Sequence, residues 1–220
     1  MRIKTTMLLA AAVLLAICPY AQAADEAEPK FMDKMTIRVI EPKSAKDSFE
    51  AEAKTVYLSG SKYVRTEEAI DPKMNIQLLI VVNEPDAWSI DLISKSGKHM
   101  IDPGPVFEMQ SPVFDLDPEV YKEIDKLEFG REVEFFAKNG VQKTSTTLDG
   151  KTVNKYEHLA DGKLHVTLWT SLDKDIPLQI SLREGKKVQT IRYEDYQENI
   201  AFEPELFKVP AGITISEPSH

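Results

Sequence analysis

A period-two alternation over residues 163–182 constrains the fold of this chain most strongly. Apolar side chains occupy every second position from Leu164 to Leu168, and again from Leu178 to Leu182. This spacing is typical of strands with one dry face and one wetter face. The polar break between the two runs is short, which predicts neighbouring antiparallel strands. Pro177 fits the start of the second strand, where its missing N–H is least needed.

The same period-two alternation extends over most of the chain and predicts a largely antiparallel sheet. Residues 76–82 form a nearly continuous apolar run, so both faces of that strand are expected to be covered. Asp149-Gly150 is typical of a tight hairpin, because glycine accepts the positive φ that such turns need. The other predicted strands cover residues 35–39, 49–57, 62–70, 88–92, 144–148, 151–159 and 188–196.

Two short helices are predicted to interrupt this sheet. Asp117 followed by proline is typical of a helix N-cap with proline at the first helical position. A second apolar stripe contains Phe129, Val133 and Phe136, and residues 139–140 (Asn-Gly) provide a C-cap. The stripe needs an apolar partner, so these helices are expected to plug or flank the concave face of the sheet.

The N-terminus has the pattern of an export signal. A short positive region precedes an uncharged apolar run, and Ala21 and Ala23 supply the small residues that a signal peptidase reads. We predict a signal peptide over residues 1–23, cleaved after Ala23, which removes Cys18, the only cysteine. A flexible arm at 24–34 and a single domain at 35–216 follow. The leader favours a periplasmic protein.

Composition and motifs exclude several classes of function. The formal net charge of −9 argues against nucleic acid and against anionic lipid headgroups as partners. No basic cluster that would hold an anion is visible along the sequence. The chain has no G-x-S-x-G, no glycine-rich phosphate loop and no H-E-x-x-H. We therefore expect a protein that is not an enzyme and needs no cofactor and no metal.

A few aromatic and histidine residues are open to two interpretations. Trp88 and Trp169 each stand in a predicted strand, where they would either close the core or line a hollow under the sheet. His158 and His165 flank the turn at residues 161–162, where they would form either a solvated pair or part of a metal site.

Three phrases carry a family resemblance: D-G-K-T-V-N-K-Y-E at residues 149–157, L-W-T-S-L-D-K-D-I-P-L at 168–178 and F-E-P-E-L-F-K-V-P-A-G-I at 202–213. In this order, they resemble the lipoprotein-carrier (LolA/LolB-like) superfamily, most clearly over residues 129–215. The resemblance implies a mainly β (α+β) fold, an unclosed antiparallel β-barrel wrapped around short helices. Its apolar hollow would take acyl chains or another hydrophobic ligand. The basic residue that known carriers use in lipoprotein release has no clear counterpart here.

These observations predict a periplasmic, monomeric, non-enzymatic carrier or binding protein for a lipid, a lipidated protein or another hydrophobic ligand. The alternative is an envelope protein-interaction or regulatory module on the same fold, without a transported ligand. The expected lining of the hollow consists of Trp88, Trp169, Phe129, Val133 and Phe136.

Overall fold

The computed structural model of the protein describes residues 28–41, 51–101, 124, 127, 130–160 and 162–217. These residues form one sheet of twelve strands and an α-helix, α1 (Glu132–Lys138). The strands are β1 (Phe31–Glu41), β2 (Lys54–Ser59), β3 (Tyr63–Asp71), β4 (Ile76–Asn83), β5 (Asp86–Asp91), β6 (Ser96–Ile101), β7 (Thr144–Leu148), β8 (Lys151–Ala160), β9 (Leu164–Thr170), β10 (Pro177–Glu184), β11 (Lys187–Ala201) and β12 (Thr214–Ser216).

The strand order is β12-β6-β5-β4-β3-β2-β1-β11-β10-β9-β8-β7, so the sheet is unclosed. Two meanders, β2 to β6 and β7 to β11, are joined because β1 pairs with β2 on one side and β11 on the other. Neighbouring strands are antiparallel throughout the described sheet except at the edge, where β12 runs parallel to β6. The predicted fold class, a mainly β, unclosed antiparallel sheet with helix, is confirmed.

The main hydrophobic core lies on one face, which we call the inner face. Side chains from both meanders meet there, including Val56 and Val82 from the first and Leu168 and Ile180 from the second. Helix α1 packs on this face through Phe135 and Phe136. The opposite side of the sheet is called the outer face. This inner core therefore spans both halves of the sheet and buries one side of α1.

Strand β4 is covered on both faces, as its continuous apolar run predicts. Val82 belongs to the inner core, whereas Leu79 and Val81 belong to a second cluster on the outer face. The C-terminal segment covers that outer cluster with Val209, Ile213 and Ile215. The chain thus returns after β11 and folds back over the outer face of the first meander.

Helix α1 ends as residues 139–140 predict. The N–H of Gly140 donates to the carbonyl of Ala137, and the N–H of Val141 donates to the carbonyl of Phe136, both at 3.0 Å. This is the Schellman pattern, and it requires the positive φ of 68° that Gly140 adopts. The described residues contain no helix that is both long and apolar enough to cross a membrane.

Several sequence-based boundaries differ from the structure. β1 begins at Phe31, inside the stretch predicted as a flexible arm, because its N–H and C=O groups pair with β11. In β2 the inner positions are Lys54, Val56 and Leu58, whereas the alternation of Phe49, Ala51, Ala53, Thr55 and Tyr57 predicts the odd-numbered positions on the apolar face. The signal peptide, Cys18 and the helix predicted at Asp117 lie outside the described residues.

Candidate functional site

The inner face is apolar at its centre, and α1 lies against it. Phe136 is 0 % exposed and its ring lies 5.4 Å from that of Phe135 and 5.6 Å from that of Tyr156. Ile124 and Leu127, just before the helix, are buried in the same cluster. An aromatic pair on a seven-residue helix thus fills the space between the two halves of the sheet.

One buried carboxylate ties α1 to the sheet. Glu132 is the first residue of the helix and is 0 % exposed. Its Oε1 accepts a hydrogen bond from the hydroxyl of Tyr193 on β11. Burial, together with the nearby charge of Glu132, raises the pKa of Tyr193 well above its usual value, so this hydroxyl stays a donor. The contact fixes the start of α1 on the otherwise apolar inner face.

A second polar cluster surrounds Asp175 in the β9–β10 turn. Its Oδ1 accepts hydrogen bonds from Asn154 Nδ2 at 2.7 Å and Thr170 Oγ1 at 2.9 Å. Lys143 Nζ donates to its Oδ2 at 3.0 Å. Burial raises the pKa of Asp175, but the hydrogen bonds from Lys143, Thr170, Asn154 and Tyr156 outweigh it, and the net shift is downward.

The Asp175 cluster brings together residues from two of the sequence phrases described above. Asn154 and Tyr156 come from the phrase at residues 149–157, whereas Thr170 and Asp175 come from the phrase at 168–178. Pairing of β8 with β9 brings them side by side at the end of the sheet where Asn154 faces Thr170. The two phrases therefore meet in one partly buried hydrogen-bond network that closes the β9–β10 turn.

A basic residue also lies on the inner face, away from the aromatic centre. Lys54 is 7 % exposed and stands opposite Ile37 in the β1–β2 ladder. Its Nζ lies 2.6 Å from Glu68 Oε1. Buried ions are costly unless paired and hydrogen-bonded, so this ion pair is a specific feature of the site.

The structure brings together only part of the predicted lining. Phe136 is fully buried in the inner core, and Val133 is half-buried and packs against the same cluster. Phe129 lies outside the described residues. Phe135 and Glu132, which the predicted stripe leaves out, are buried as well. A helical wheel centred on Phe136 would have found Glu132, since residues four apart lie on one helix face.

Both tryptophans lie on the outer face, which corrects the expectation that they line the hollow. Trp88 alternates with Ala87, an inner core residue, and packs beside the outer cluster of Leu79, Val81 and Ile90. Trp169 follows Leu168, another inner core residue, and lies among polar side chains. Successive side chains of a strand point to opposite faces, so neither indole reaches the inner core.

The two histidines beside the turn at residues 161–162 do not face each other. In the β8–β9 ladder, His158 stands opposite Val166 and His165 stands opposite Leu159. His158 is therefore on the inner face, where its ring lies 5.6 Å from that of Phe135, and His165 is on the outer face. Within the described ranges, no three His, Cys, Asp or Glu side chains group as metal ligands.

No protein-family model and no curated protein sequence matches this chain. Solved structures are similar to it over most of its length. An uncharacterized conserved protein from Thermus thermophilus has 13 % identity and a TM-score of 0.47, covering 86 % of this chain and 91 % of that one. LprF from Mycobacterium bovis has 12 % identity and a TM-score of 0.40, with coverages of 84 % and 90 %. The LolA superfamily protein NE2245 from Nitrosomonas europaea has 11 % identity and a TM-score of 0.35, with coverages of 83 % and 91 %. A member of the LolA superfamily is thus among the solved structures that resemble this chain.

Proposed function

We propose that this protein is a non-enzymatic binding or carrier protein for a hydrophobic ligand, either a lipid or a lipidated protein. The observation that carries the proposal is the inner face, an extended apolar surface of an unclosed sheet that α1 covers with Phe135 and Phe136. Apolar surface of this kind binds acyl chains by removing their methylene groups from water. The resemblance of the sequence phrases to LolA/LolB-like carriers favours the same function.

Helix α1 has the properties of a cover over the inner face that a ligand can displace. α1 has seven residues, too few to be stable as an isolated helix in water, so its position depends on its tertiary contacts. An acyl chain that occupies the space of Phe135 and Phe136 offers the sheet the same apolar contact. The part of α1 after Glu132 then moves aside, and burial of the acyl chain replaces the apolar contacts that the two rings lose.

The setting proposed for this activity is the periplasm. The signal-peptide pattern that ends at Ala23 supports export, and the protein would act there as a monomer that meets lipoproteins or free lipid. No covalent chemistry is proposed at the inner face, since the polar groups there serve packing: Glu132 bonds Tyr193, and Asp175 is held by its neighbours.

One observation favours a second candidate function, an envelope protein-interaction module. Phe136 is 0 % exposed, so the inner face is already filled by the protein's own side chains at that point. A module that senses a protein partner would need no ligand to enter. The two candidates differ in whether the inner face takes up an apolar molecule.

Titration of the delipidated protein with fluorescent fatty acids of increasing chain length tests the proposal. We expect one saturable site whose affinity rises with length until the inner face is full, because each methylene contributes up to about 0.8 kcal/mol and immobilising the chain offsets part of this. Phe136→Ala should alter uptake, whereas Trp88→Ala, on the outer face, should not. Absence of saturable uptake at every chain length would favour the interaction module.

A further inference from the structure

A polar depression lies on the outer face of β8, β9 and β10, on the opposite side of the sheet from the hydrophobic core. It has a volume of about 300 Å³. Its lining residues are Lys155, Glu157, His165, Thr167, Trp169, Ser181 and Arg183. This lining is polar except for one indole, whereas pockets that bind hydrophobic ligands are lined mostly by apolar side chains. The depression therefore suits a hydrophilic ligand, and it is independent of the function proposed for the inner face.

Strand register assembles this depression from residues far apart in the sequence. In the β9–β10 ladder, His165 stands opposite Arg183, and Thr167 stands opposite Ser181. In the β8–β9 ladder, Trp169 stands opposite Lys155. Residues directly opposite each other in a ladder share a face, so these side chains form neighbouring rows on a rigid sheet.

The charges in the depression are unbalanced toward the positive. Lys155 and Glu157 form an ion pair at 2.7 Å, which leaves the acidic group neutralised. Arg183 is exposed, and neither it nor His165 makes an ion pair within the part of the chain that the structure describes. The Arg183 guanidinium therefore has donors left for a ligand, and a guanidinium binds a carboxylate or phosphate with two parallel hydrogen bonds.

The rest of the depression has the chemistry that recognises a sugar. Trp169 supplies a flat apolar surface in an otherwise hydrophilic setting, against which the C–H face of a sugar ring can stack. Thr167 and Ser181 supply hydroxyl groups that both donate and accept hydrogen bonds. Ser181 Oγ donates a hydrogen bond of 3.0 Å to Thr190 Oγ1, whose own proton goes to Glu41 Oε2, so Ser181 is oriented to accept a hydrogen bond from a ligand.

The spacing along β9 sets the size of the ligand. Trp169 and His165 are four residues apart on that strand, which is about 14 Å at the usual rise of a strand. This backbone separation exceeds the width of one sugar ring, so a short oligosaccharide suits a site that offers both the indole and the Arg183 guanidinium. We propose that the outer face of β8–β10 binds an anionic oligosaccharide, with one ring on Trp169 and an acidic group on Arg183 and His165.

Isothermal titration calorimetry with mono-, di- and trigalacturonic acid tests this proposal at low salt, with maltotriose as the neutral probe of equal length. We expect affinity to increase from the monomer to the trimer and maltotriose to bind more weakly. Trp169→Ala should weaken binding of the trimer roughly three- to tenfold, the effect of losing one aromatic contact. Arg183→Gln should weaken it about tenfold at low salt and less at high salt, where charges are screened.

Matched variants elsewhere on the surface give the controls. Trp88→Ala removes the other outer-face indole and Lys73→Gln removes an exposed charge on a distant turn, and both should bind the trimer like the unchanged protein. Arg183 is exposed, so its variant should fold even if Trp169→Ala does not. The proposal is wrong if no galacturonic acid oligomer binds at a saturable site. It is equally wrong if Arg183→Gln binds the trimer unchanged, or if inorganic phosphate binds as tightly as the trimer.

Discussion

At the scale of single residues, Phe136 is the largest fully buried side chain of the inner core. It is 0 % exposed and contacts aromatic rings from α1 and β8. Phe136→Ala should lower the free energy of unfolding by about 3–5 kcal/mol, because it removes buried area and leaves a cavity. Urea denaturation measures this. Val133→Ala, at a half-buried position of the same helix, should cost clearly less, and equal costs for the two would show that Phe136 does not occupy a packed site.

Asp175 predicts a dependence of stability on acid pH. The pKa of Asp175 is lowered in the folded protein, where its hydrogen bonds outweigh the effect of burial. Its contribution to stability is therefore present above the unfolded pKa of about 3.9 and is lost as pH falls through the folded pKa. Asp175→Asn should destabilise the protein at neutral pH and should lose less stability on acidification. Denaturant titrations from about pH 7 to about pH 2 test this, with exposed Asp173→Asn as the control that should follow the unchanged protein.

His99 predicts that the stability of the protein also depends on pH, but with the opposite sign. Its Nδ1 lies 2.8 Å from Glu217 Oε2, its Nε2 lies 2.7 Å from Asp86 Oδ1, and its ring stacks on Trp88 at 5.4 Å. Both ring nitrogens donate only in the protonated form. The hydrogen bonds with Glu217 and then Asp86 raise the pKa of His99 above 6.5.

The contribution of His99 is thus fully present below the unfolded pKa of about 6.5 and is lost as pH rises through the folded pKa. Melting temperatures between about pH 5 and about pH 9 should fall more steeply for the unchanged protein than for His99→Gln. His165→Gln, on another part of the outer face, should keep the steep profile. Parallel profiles for His99→Gln and the unchanged protein would contradict the prediction.

At the scale of elements, the C-terminal segment acts as a cover for the first meander. The rings of Phe202 and Phe207 lie 5.1 and 5.4 Å from that of Tyr63 on β3, and Arg65 Nη1 donates to the carbonyl of Leu206 at 2.9 Å. β12 then completes the sheet beside β6. The segment thus covers Tyr63 and the outer cluster of Leu79, Val81 and Ile90.

Gly97 explains how β12 comes so close to its neighbours. A Cβ at this position would meet Ser89 O at 2.9 Å and Ile215 Cδ1 at 3.0 Å. Gly97 thus lets Ile215 approach the sheet. Only a residue without a side chain leaves that space free.

Removing β12 should expose the outer cluster. A chain that ends at Gly212 lacks Ile213 and Ile215, which pack on Leu79, Val81 and Ile90. We expect a loss of about 2–4 kcal/mol in the free energy of unfolding, from two partly buried isoleucines. Hydrogen exchange of the β6 amides should accelerate more than that of β9. A chain that ends at Glu217 is the control and should match the full protein. Unchanged exchange in β6 on truncation to Gly212 would show that β12 does not cover this edge.

At the scale of the whole molecule, β1 holds the two meanders together. Phe31 pairs with Ala201 across almost the entire described chain, whereas the pairs within each meander are local. Contacts between residues far apart in sequence carry the highest cost of loop closure, so they tend to form late in folding. The joint between β1 and β11 is therefore expected to form after the hairpins of the meanders.

This order of events is testable with folding kinetics. Ile37→Ala removes a buried side chain at the β1–β11 joint and should mainly speed unfolding, with a low φ-value. Leu168→Ala, in the local β8–β9–β10 meander, should slow folding more strongly. Stopped-flow measurements in urea give both rates. A φ-value for Ile37 equal to or above that for Leu168 would mean that the two meanders join early.

The sequence by itself determined most of the elements. Period-two runs locate nearly every strand, because side-chain alternation is a local property of an extended backbone. Asp149 and Gly150 both adopt positive φ, as a tight hairpin requires, and Pro177 is the first residue of β10. The end of α1 at Asn139 and the burial of Phe136 also follow from local signals.

Which face a strand buries is the point at which local reasoning failed. In β2 the alternation predicts Ala53 and the other odd-numbered positions on the apolar face, whereas the pairing with β1 and β3 turns Val56 and Leu58 inward. A shift of one residue exchanges the two faces of a strand. Trp169 failed for a different reason: its alternation with Leu168 already places it opposite the core, and the expectation that a large aromatic side chain lines the hollow went against that local pattern.

Only the tertiary structure decided which distant residues share a site. Along the sequence no basic cluster is visible, yet the register of β8, β9 and β10 places Lys155, His165 and Arg183 around one depression. Likewise, Glu132 reaches Tyr193 only because α1 packs against β11. Local patterns set the period and the ends of an element, but hydrogen-bonded register and packing across the chain set which side chains meet.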